Sequence, residues 1–262
     1  MPLQVFHVGA FAAKPFTGNP AAVCPLVEWL DDNWLRAVSA ENNLSETAFF
    51  VPREDHYELR WFTPRCEVKL CGHATLASAF VLIDILKMKR DSVRFETRFS
   101  GPLTVVREGA FYAMDFPALA PWACADPPLA LIEGLGDAPA AVVQIEDNYF
   151  AVYEREEDVR RIRPDFRLLE KLHPAGVAIT APGNDADFVS RYFAPSYGIP
   201  EDPVTGSTHC SLAPYWGERL GKTSLHARQV SERGGELWCE VKRERVIIKG
   251  RAVLTLRGEL LI

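Results

Sequence analysis

The sequence predicts an α+β fold in two similar halves, and three observations lead to this prediction. Segments such as 57–63 and 236–242 alternate apolar and polar residues, which is typical of half-buried strands in antiparallel sheets or barrels. Two related stretches, RWFTP from Arg60 and RYFAP from Arg191, begin half the length of the 262-residue chain apart. The segment that begins at Gly72 is apolar on nearly every side, so it predicts a fully buried helix.

Further strands follow from the same alternation and from the turn residues that bound each segment. In SVRFETR at 92–98, Val, Phe and Thr alternate with charged residues. The segments 245–249 and 252–257 are rich in β-branched residues and are followed by glycines. Strands are therefore predicted close to the C-terminus as well as in the first half.

Two helices are predicted from capping residues and apolar spacing. The first, 31–43, begins at an aspartate suited to cap it and places Trp34, Leu35 and Val38 on one face. The second, 166–173, ends in basic residues, which suit the negative end of a helix dipole.

The buried helix of each half follows a repeated turn. We expect one to run from Gly72 to about residue 87 and its counterpart to begin at Gly206, with Pro214 kinking or shifting it. Helix N-termini present unpaired backbone N–H groups and a partial positive charge. If the halves pack together, the two N-termini would point into one cleft and form a site for a carboxylate.

The middle of the chain predicts the domain connection. Residues 116–140 are dense in proline and glycine. We therefore predict an N-terminal domain of residues 1–117 and a C-terminal domain of residues 118–262, with the active-site cleft between them.

Composition limits the classes of partner. The net charge of −6 argues against a nucleic-acid partner, because phosphate binding needs a basic surface. The longest apolar stretch, 74–83, is too short to span a bilayer, so no membrane partner is expected. The N-terminal residues lack the pattern of a secretory signal. A cytoplasmic protein with six free thiols is the resulting expectation.

Candidate catalytic groups lie at the two turns and at one strand start. Glu46, beside Ser45 and directly before an aromatic strand, would be partly desolvated, which raises a carboxyl pKa toward neutrality and suits proton transfer. A surface or capping role is the alternative. His73 and Asp202 are found at matching turns and could pass a proton or orient a substrate, or could be ordinary polar groups at helix starts.

Several other groups of residues do not match the spacing of a known metal, hydrolase or nucleotide site. A zinc site would have to combine Cys66, Cys71 and His73 with the distant His209 and Cys210, which is not a familiar spacing. GSTH at 206–209 lacks the closing glycine of a serine-hydrolase elbow. Neither a dinucleotide fingerprint nor a phosphate loop is present, so no metal and no cofactor are expected.

Four motifs in order resemble the PhzF-like, or phenazine biosynthesis-like, family, which shares the diaminopimelate epimerase fold. They are TGNP at 17–20, LSETAF at 44–49, CGHAT at 71–75 and EDPVTGS at 201–207. The combination is specific and covers essentially the whole chain. The resemblance implies two pseudo-symmetric halves, each a barrel-like, mostly antiparallel sheet around a central helix. It also implies that residues 253–262 can pair back to the first domain.

The resemblance further implies a cofactor-independent isomerase that moves a proton on a small carboxylate-bearing metabolite. Glu46 would be the general acid and base, in a pocket lined by His73, Asp202 and Ser207. Residues expected to bind the substrate are Asn19, Ser45, Cys71, Gly72 and Gly206. Members of the family often form dimers, which leaves a homodimer open, although the sequence points to no interface.

One departure from related enzymes leaves alternatives open. Diaminopimelate epimerases use two opposed cysteines, whereas this chain has Cys71 at the first position and Thr205 at the second. An amino-acid racemase or epimerase that pairs Cys71 with Glu46 is therefore one alternative. A catalytically silent metabolite-binding or interaction protein is the other.

Overall fold

The computed structural model describes residues 2–261 and separates into two compact units. The first unit contains the described residues up to Asp115 and those from Lys249 onward, and the second is Phe116–Ile248. No helix in residues 2–261 combines the length and the apolar character needed to span a membrane. Strands and helices are both abundant, which confirms the α+β class.

The strands of the first unit and the last strand of the chain are β1 (Pro2–Ala10), β2 (Asn19–Pro25), β3 (Glu46–Pro52), β4 (Tyr57–Phe62), β5 (Glu67–Val68), β6 (Ser92–Thr97), β7 (Gly101–Glu108), β8 (Phe111–Pro117) and β18 (Ala252–Leu261). The strands between them are β9 (Trp122–Ala123), β10 (Ala141–Ile145), β11 (Asn148–Val152), β12 (Gly176–Pro182), β13 (Phe188–Ala194), β14 (Ile199–Asp202), β15 (Ser224–Gln229), β16 (Gly235–Lys242) and β17 (Arg245–Gly250).

The helices are α1 (Asp32–Asn42), α2 (Gly72–Phe80), α3 (Leu129–Leu135), α4 (Glu156–Arg161), α5 (Phe166–Leu169) and α6 (His209–Leu220). A π-helical turn, Val81–Ile85, continues α2, and short 3-10 turns occupy Glu170–Leu172 and Pro195–Tyr197. The five segments assigned as strands in the sequence, around 57–63, 92–98, 236–242, 245–249 and 252–257, all contain one.

The two units repeat one pattern of strand pairing, which confirms two similar halves. In the first unit β1–β2 is antiparallel, β2–β3 parallel, β3–β4 antiparallel and β4–β6 parallel, with β5 paired to β4 and β7 to β6. In the second unit β10 to β16 repeat the same sequence of parallel and antiparallel pairs. In each unit the main buried helix, α2 or α6, connects the short hairpin strand to the strand that follows. Strand β18 pairs antiparallel with β1.

Helix α2 is buried on all sides, as its composition predicts. Every residue from His73 to Ala79 is buried, and the helix packs against β1, β2, β3, β7 and β18. Small alanine and serine side chains let these strands approach the helix closely. The hydroxyl of Ser78 donates a hydrogen bond to the carbonyl of Ala74 at 2.8 Å. The helix thereby fixes the position of the residues at its start.

Helix α6 differs from the prediction in where it begins. It starts at His209, three residues after Gly206, because the intervening residues form a tight turn with bonds from His209 N–H to Gly206 O and from Cys210 N–H to Ser207 O. The helix continues through Pro214. Proline lacks the N–H that would bond the carbonyl four residues earlier, and that carbonyl, of Cys210, accepts the N–H of Leu119 at 2.9 Å instead.

Helix α1 confirms the predicted cap and corrects one side chain. Asp31 accepts the N–H of Asn33 at 2.9 Å, as an N-cap residue does. Leu35 and Val38 are buried, but Trp34 is 52% exposed. The stripe that faces the sheet runs through positions 35 and 38, and Trp34 is one residue outside it.

Candidate active site

Glu46, Cys71 and His73 come together inside the first unit. Glu46 is the first residue of β3, while Cys71 is the N-cap of α2 and His73 lies in the first turn of that helix. All three residues are buried, with exposed fractions of 9%, 6% and 7%. Glu46 and His73, which were predicted as catalytic residues from separate motifs, are therefore neighbours.

The surrounding strands explain how a carboxylate comes to be buried here. Strand β3 lies between β2, to which it is parallel, and β4, to which it is antiparallel, and Ala21 is opposite Glu46. The next five residues of the strand are buried, so the apolar sequence TAFFV holds it in the interior. Burial of these residues draws the carboxylate at the start of the strand inside with them.

The contacts within this triad of Glu46, Cys71 and His73 are short. His73 Nε2 lies 3.1 Å from Glu46 Oε2, and His73 Nδ1 lies 3.5 Å from Cys71 Sγ. The first distance is that of an ion pair, yet among residues 2–261 Oε2 has no donor aligned for a hydrogen bond. The carboxylate therefore keeps a buried oxygen whose lone pairs are not engaged by an aligned donor.

Burial and charge act in opposite directions on the triad. Burial, together with the charge of Glu46, raises the pKa of the Cys71 thiol to about 11. Burial also disfavours a charged imidazole at His73, but the facing Cys71 and Glu46 outweigh it and hold that pKa well above its usual value. The environment favours a protonated thiol and a protonated imidazole beside the carboxylate.

The triad also contains metal-binding atom types. One sulfur, one imidazole nitrogen and one carboxylate oxygen lie within 4.8 Å of one another. The zinc combination that the sequence disfavours is not assembled in the same way: Cys66 is an exposed free thiol, and His209 Nδ1–H donates to the carbonyl of Thr205 at 2.8 Å. All six cysteines are free, as predicted.

The predicted substrate-binding residues of the first unit lie around the start of these elements. Asn19 is fully buried at the first position of β2, the strand parallel to that of Glu46. Ser45 precedes β3 and is half-buried, and Gly72 is the first residue of α2. The N-cap residue of that helix, Cys71, makes no side-chain capping hydrogen bond.

In the second unit, Asp202 is bonded to its neighbouring turn. Thr205 Oγ1 donates to Asp202 Oδ2 at 2.5 Å, where Asp202 ends β14 and Thr205 lies in the turn between β14 and α6. Gly206 is buried and Ser207 is exposed in the turn before α6. The structure brings Asp202 together with Thr205, which stands where the first half has Cys71.

Gln229 is a residue of this cluster that sequence reasoning missed. Its Oε1 accepts the N–H of Thr205 at 2.8 Å, and its Nε2 donates to Asp202 O at 2.8 Å and to Thr205 Oγ1 at 3.2 Å. It is 1% exposed at the end of β15. The signal was present, because Leu225 and Ala227 mark the buried face of that strand and Gln229 continues it with a polar side chain.

Comparisons with known proteins agree over nearly the full length. A sequence model of the family described as "Phenazine biosynthesis-like protein" matches residues 8–258. Two proteins of Pseudomonas aeruginosa, each named an uncharacterized isomerase, are 55% and 48% identical over 260 residues, with 99% of both chains covered. The crystal structure of a PhzF-family phenazine biosynthesis protein from Enterococcus faecalis superposes with a TM-score of 0.96 at 46% identity, covering 100% of each chain.

Proposed function

The chain belongs to the phenazine biosynthesis-like family, and from that premise we propose an isomerase that moves a proton on a small carboxylate-bearing metabolite, with Glu46 as its general acid and base. The enzyme class follows from relatives named as isomerases along 99% of the chain. It favours catalysis over the silent binding protein considered as an alternative.

The observation that carries the proposal is the buried, unbonded Oε2 atom of Glu46. A general base must offer a lone pair that no other donor occupies. Glu46 offers such a lone pair at a buried position.

His73 supports the same role from the other side. Its Nε2 lies 3.1 Å from Oε2 of Glu46, so a positive imidazole would stabilise the ionised carboxylate electrostatically. In this mechanism Glu46 removes a proton from a carbon of the substrate and delivers it to another carbon or to the same one. Both transfers pass through protein side chains, so the proposal includes no cofactor.

The substrate class is proposed from the groups around Glu46. The N-terminus of α2, where the N-cap residue Cys71 makes no capping hydrogen bond and Gly72 is the first helical residue, would offer N–H groups to a carboxylate and to charge that develops during proton removal. Asn19 and Ser45 are proposed to bind polar substrate groups. Asp202 and Ser207 are proposed as further catalytic residues, and Gly206 as a further substrate-binding residue.

A racemase or epimerase is the second candidate, and the contact between Cys71 and His73 favours it. Cys71 Sγ lies 3.5 Å from His73 Nδ1, close enough for the imidazole to take the thiol proton. The raised pKa of the thiol weighs against it, because the thiolate is the reactive form.

Deuterium exchange tests the proposal without a known substrate. The protein would be incubated in D₂O with a panel of amino acids, cyclic dienoic acids and keto acids, and proton NMR would report which C–H signals disappear or move. We expect exchange in one substrate class with the wild type. Glu46→Gln should slow it by roughly 10²–10⁴-fold, the usual contribution of a general acid–base group.

Matched variants separate the two candidates. Glu54→Gln changes an exposed glutamate near the same strands and should exchange at the wild-type rate. Equal losses in Glu46→Gln and Cys71→Ser would favour the epimerase, whereas a loss confined to Glu46→Gln favours the isomerase. Turnover within about tenfold of wild type in Glu46→Gln would remove Glu46 from the mechanism.

A further inference from the structure

We infer that Glu46, Cys71 and His73 also form a binding site for Zn²⁺ or a similar divalent ion, and that metal binding there switches the isomerase off. The binding is argued from the triad alone. The inhibition rests on the proposed function, because it requires Glu46 to be the acid and base.

The donor atoms define the class of metal. The triad offers one thiol sulfur, one imidazole nitrogen and one carboxylate oxygen. These are the three ligand types that Zn²⁺ takes in proteins. Mg²⁺ and Ca²⁺ prefer sets of six or more oxygen ligands, so this site should discriminate strongly against them.

The donors are already close to the required spacing. In a tetrahedral zinc site, bonds of about 2.0–2.3 Å place neighbouring ligand atoms roughly 3.3–3.6 Å apart. Here His73 Nε2 is 3.9 Å from Cys71 Sγ and 3.1 Å from Glu46 Oε2. The distances from Nε2 to its two partners differ from the ideal spacing by a few tenths of an ångström, and all three donor atoms lie within 4.8 Å of one another. Side-chain rotation that brings the thiol and the carboxylate closer together would let all three atoms bind one ion.

A second observation points to a ligand at the same place. Oε2 of Glu46 is buried, and among the described residues no donor is aligned to bond it. Buried carboxylate oxygens are normally satisfied, and a metal ion is one of the groups that satisfies them. A thiolate and a carboxylate together would also balance the charge of a divalent ion.

Binding changes the protonation of the triad and blocks its chemistry. Zn²⁺ displaces the thiol proton of Cys71 and any proton on His73 Nε2, and both pass to solvent. The lone pair of Glu46 Oε2 then forms a bond to the metal and cannot accept a proton from substrate. Metal binding and proton transfer by Glu46 therefore exclude each other.

Cobalt absorption tests the site without any substrate. Co²⁺ added to metal-free wild-type protein should produce thiolate-to-metal charge-transfer absorption at one ion per chain, and Zn²⁺ but not Mg²⁺ should abolish it. Cys66→Ser, which removes an exposed thiol five residues away, should retain the absorption. Cys71→Ser should lose it.

Glu46→Gln guards against misfolding of the cysteine variant, because the amide has nearly the shape of the carboxylate. It should keep the wild-type circular dichroism and weaken Co²⁺ binding by at least about tenfold, since even supporting residues of a metal site contribute that much. Absence of the absorption in wild type, or its loss in Cys66→Ser instead of Cys71→Ser, would overturn the metal site.

Inhibition is measured separately, with the substrate identified by deuterium exchange. Zn²⁺ should stop exchange in wild type and in Cys66→Ser, and a chelator should restore it; unchanged exchange with a saturated metal site would overturn the switch. A protein that binds Co²⁺ but exchanges no compound in the panel contradicts the proposed function and supports the metal site. If the protein does not bind Co²⁺ but catalyses exchange that depends on Glu46, the result supports the proposed function and contradicts the metal site.

Discussion

Arg191 and Glu201 are joined by two hydrogen bonds, 2.7 Å from Nε to Oε1 and 2.9 Å from Nη2 to Oε2. Arg60 and Glu67 form the same pair in the other unit, at 2.7 and 2.8 Å between the same atoms. Each guanidinium also lies 5.0 Å from the ring of the phenylalanine two residues later. The repeated Arg-aromatic-Phe-x-Pro sequence is therefore a repeated structural device that ties a strand to the hairpin strand beside it.

Replacing Arg191 should destabilise the second unit more than removal of an ordinary surface ion pair. Its guanidinium is buried and also donates to the carbonyls of Val159 and Ile162, at 3.1 and 2.8 Å. Arg191→Met should lower the free energy of unfolding by about 3–5 kcal/mol, because it leaves a partly buried carboxylate and two carbonyls unpaired. Urea denaturation measures this loss. Arg167→Met, at an exposed pair with Asp165, is the control and should change stability by less than about 1 kcal/mol.

Gln229 should contribute to stability through the turn it holds. Gln229→Leu removes the partners of the Thr205 N–H and the Asp202 carbonyl, at a cost of roughly 2–4 kcal/mol in urea denaturation. Gln229→Glu keeps the acceptor for Thr205 and loses only the donor, so its loss should be smaller. Gln144→Leu, at a half-buried position in β10, should cost less than either. Equal stability of all three variants would contradict a specific role for Gln229.

His209 should make stability fall in mild acid. Its Nδ1 lies 2.8 Å from the carbonyl of Thr205, and burial lowers the pKa of the imidazole to about 4. An unfolded histidine titrates near 6.5, so between these values the unfolded chain binds more protons and folding weakens as pH falls. This group should remove about 2 kcal/mol between pH 7 and pH 5.

The measurement compares wild type with His209→Asn, whose amide can still donate to the Thr205 carbonyl but does not titrate. Urea denaturation at both pH values gives the change in unfolding free energy for each protein. The variant should be less stable at pH 7, because the side chain is smaller, yet it should lose about 2 kcal/mol less on acidification. Parallel losses in the two proteins would mean that other groups account for the acid sensitivity.

Gly18 should be intolerant of a side chain. Its φ is +70°, and a Cβ atom there would lie 2.2 Å from the carbonyl oxygen of Ala10. Gly101 has a similar φ of +67° but open space around the Cβ position, so Gly101→Ala isolates the cost of the backbone conformation. We expect Gly18→Ala to cost at least about 2 kcal/mol and Gly101→Ala about 1 kcal/mol in thermal or urea unfolding. Because Asn19 follows Gly18, the variant should also displace that residue.

Sequence patterns predict where helices and strands lie better than they predict which of these elements are in contact. The buried helix α2, the strand β6 and the two halves were all predictable, because periodicity and composition are local properties. The parallel pairs β2–β3 and β4–β6 were not, since register between distant segments leaves no local signal. The contact of Glu46 with His73 depends on that register. Each residue could be singled out by its own motif, but only the paired strands bring them to 3.1 Å.

The pairing of β1 with β18, from Pro2 opposite Leu261 to Ala10 opposite Ala252, gives the two units different histories during synthesis. The second unit is continuous in the chain, so it can fold as soon as it leaves the ribosome. The first unit is incomplete until β18 has been synthesised. Before that, the edge of β1 that pairs with β18 is unpaired, beside the strands that hold Glu46. Strand β18, which is translated after the whole second unit, therefore completes the unit that contains β1.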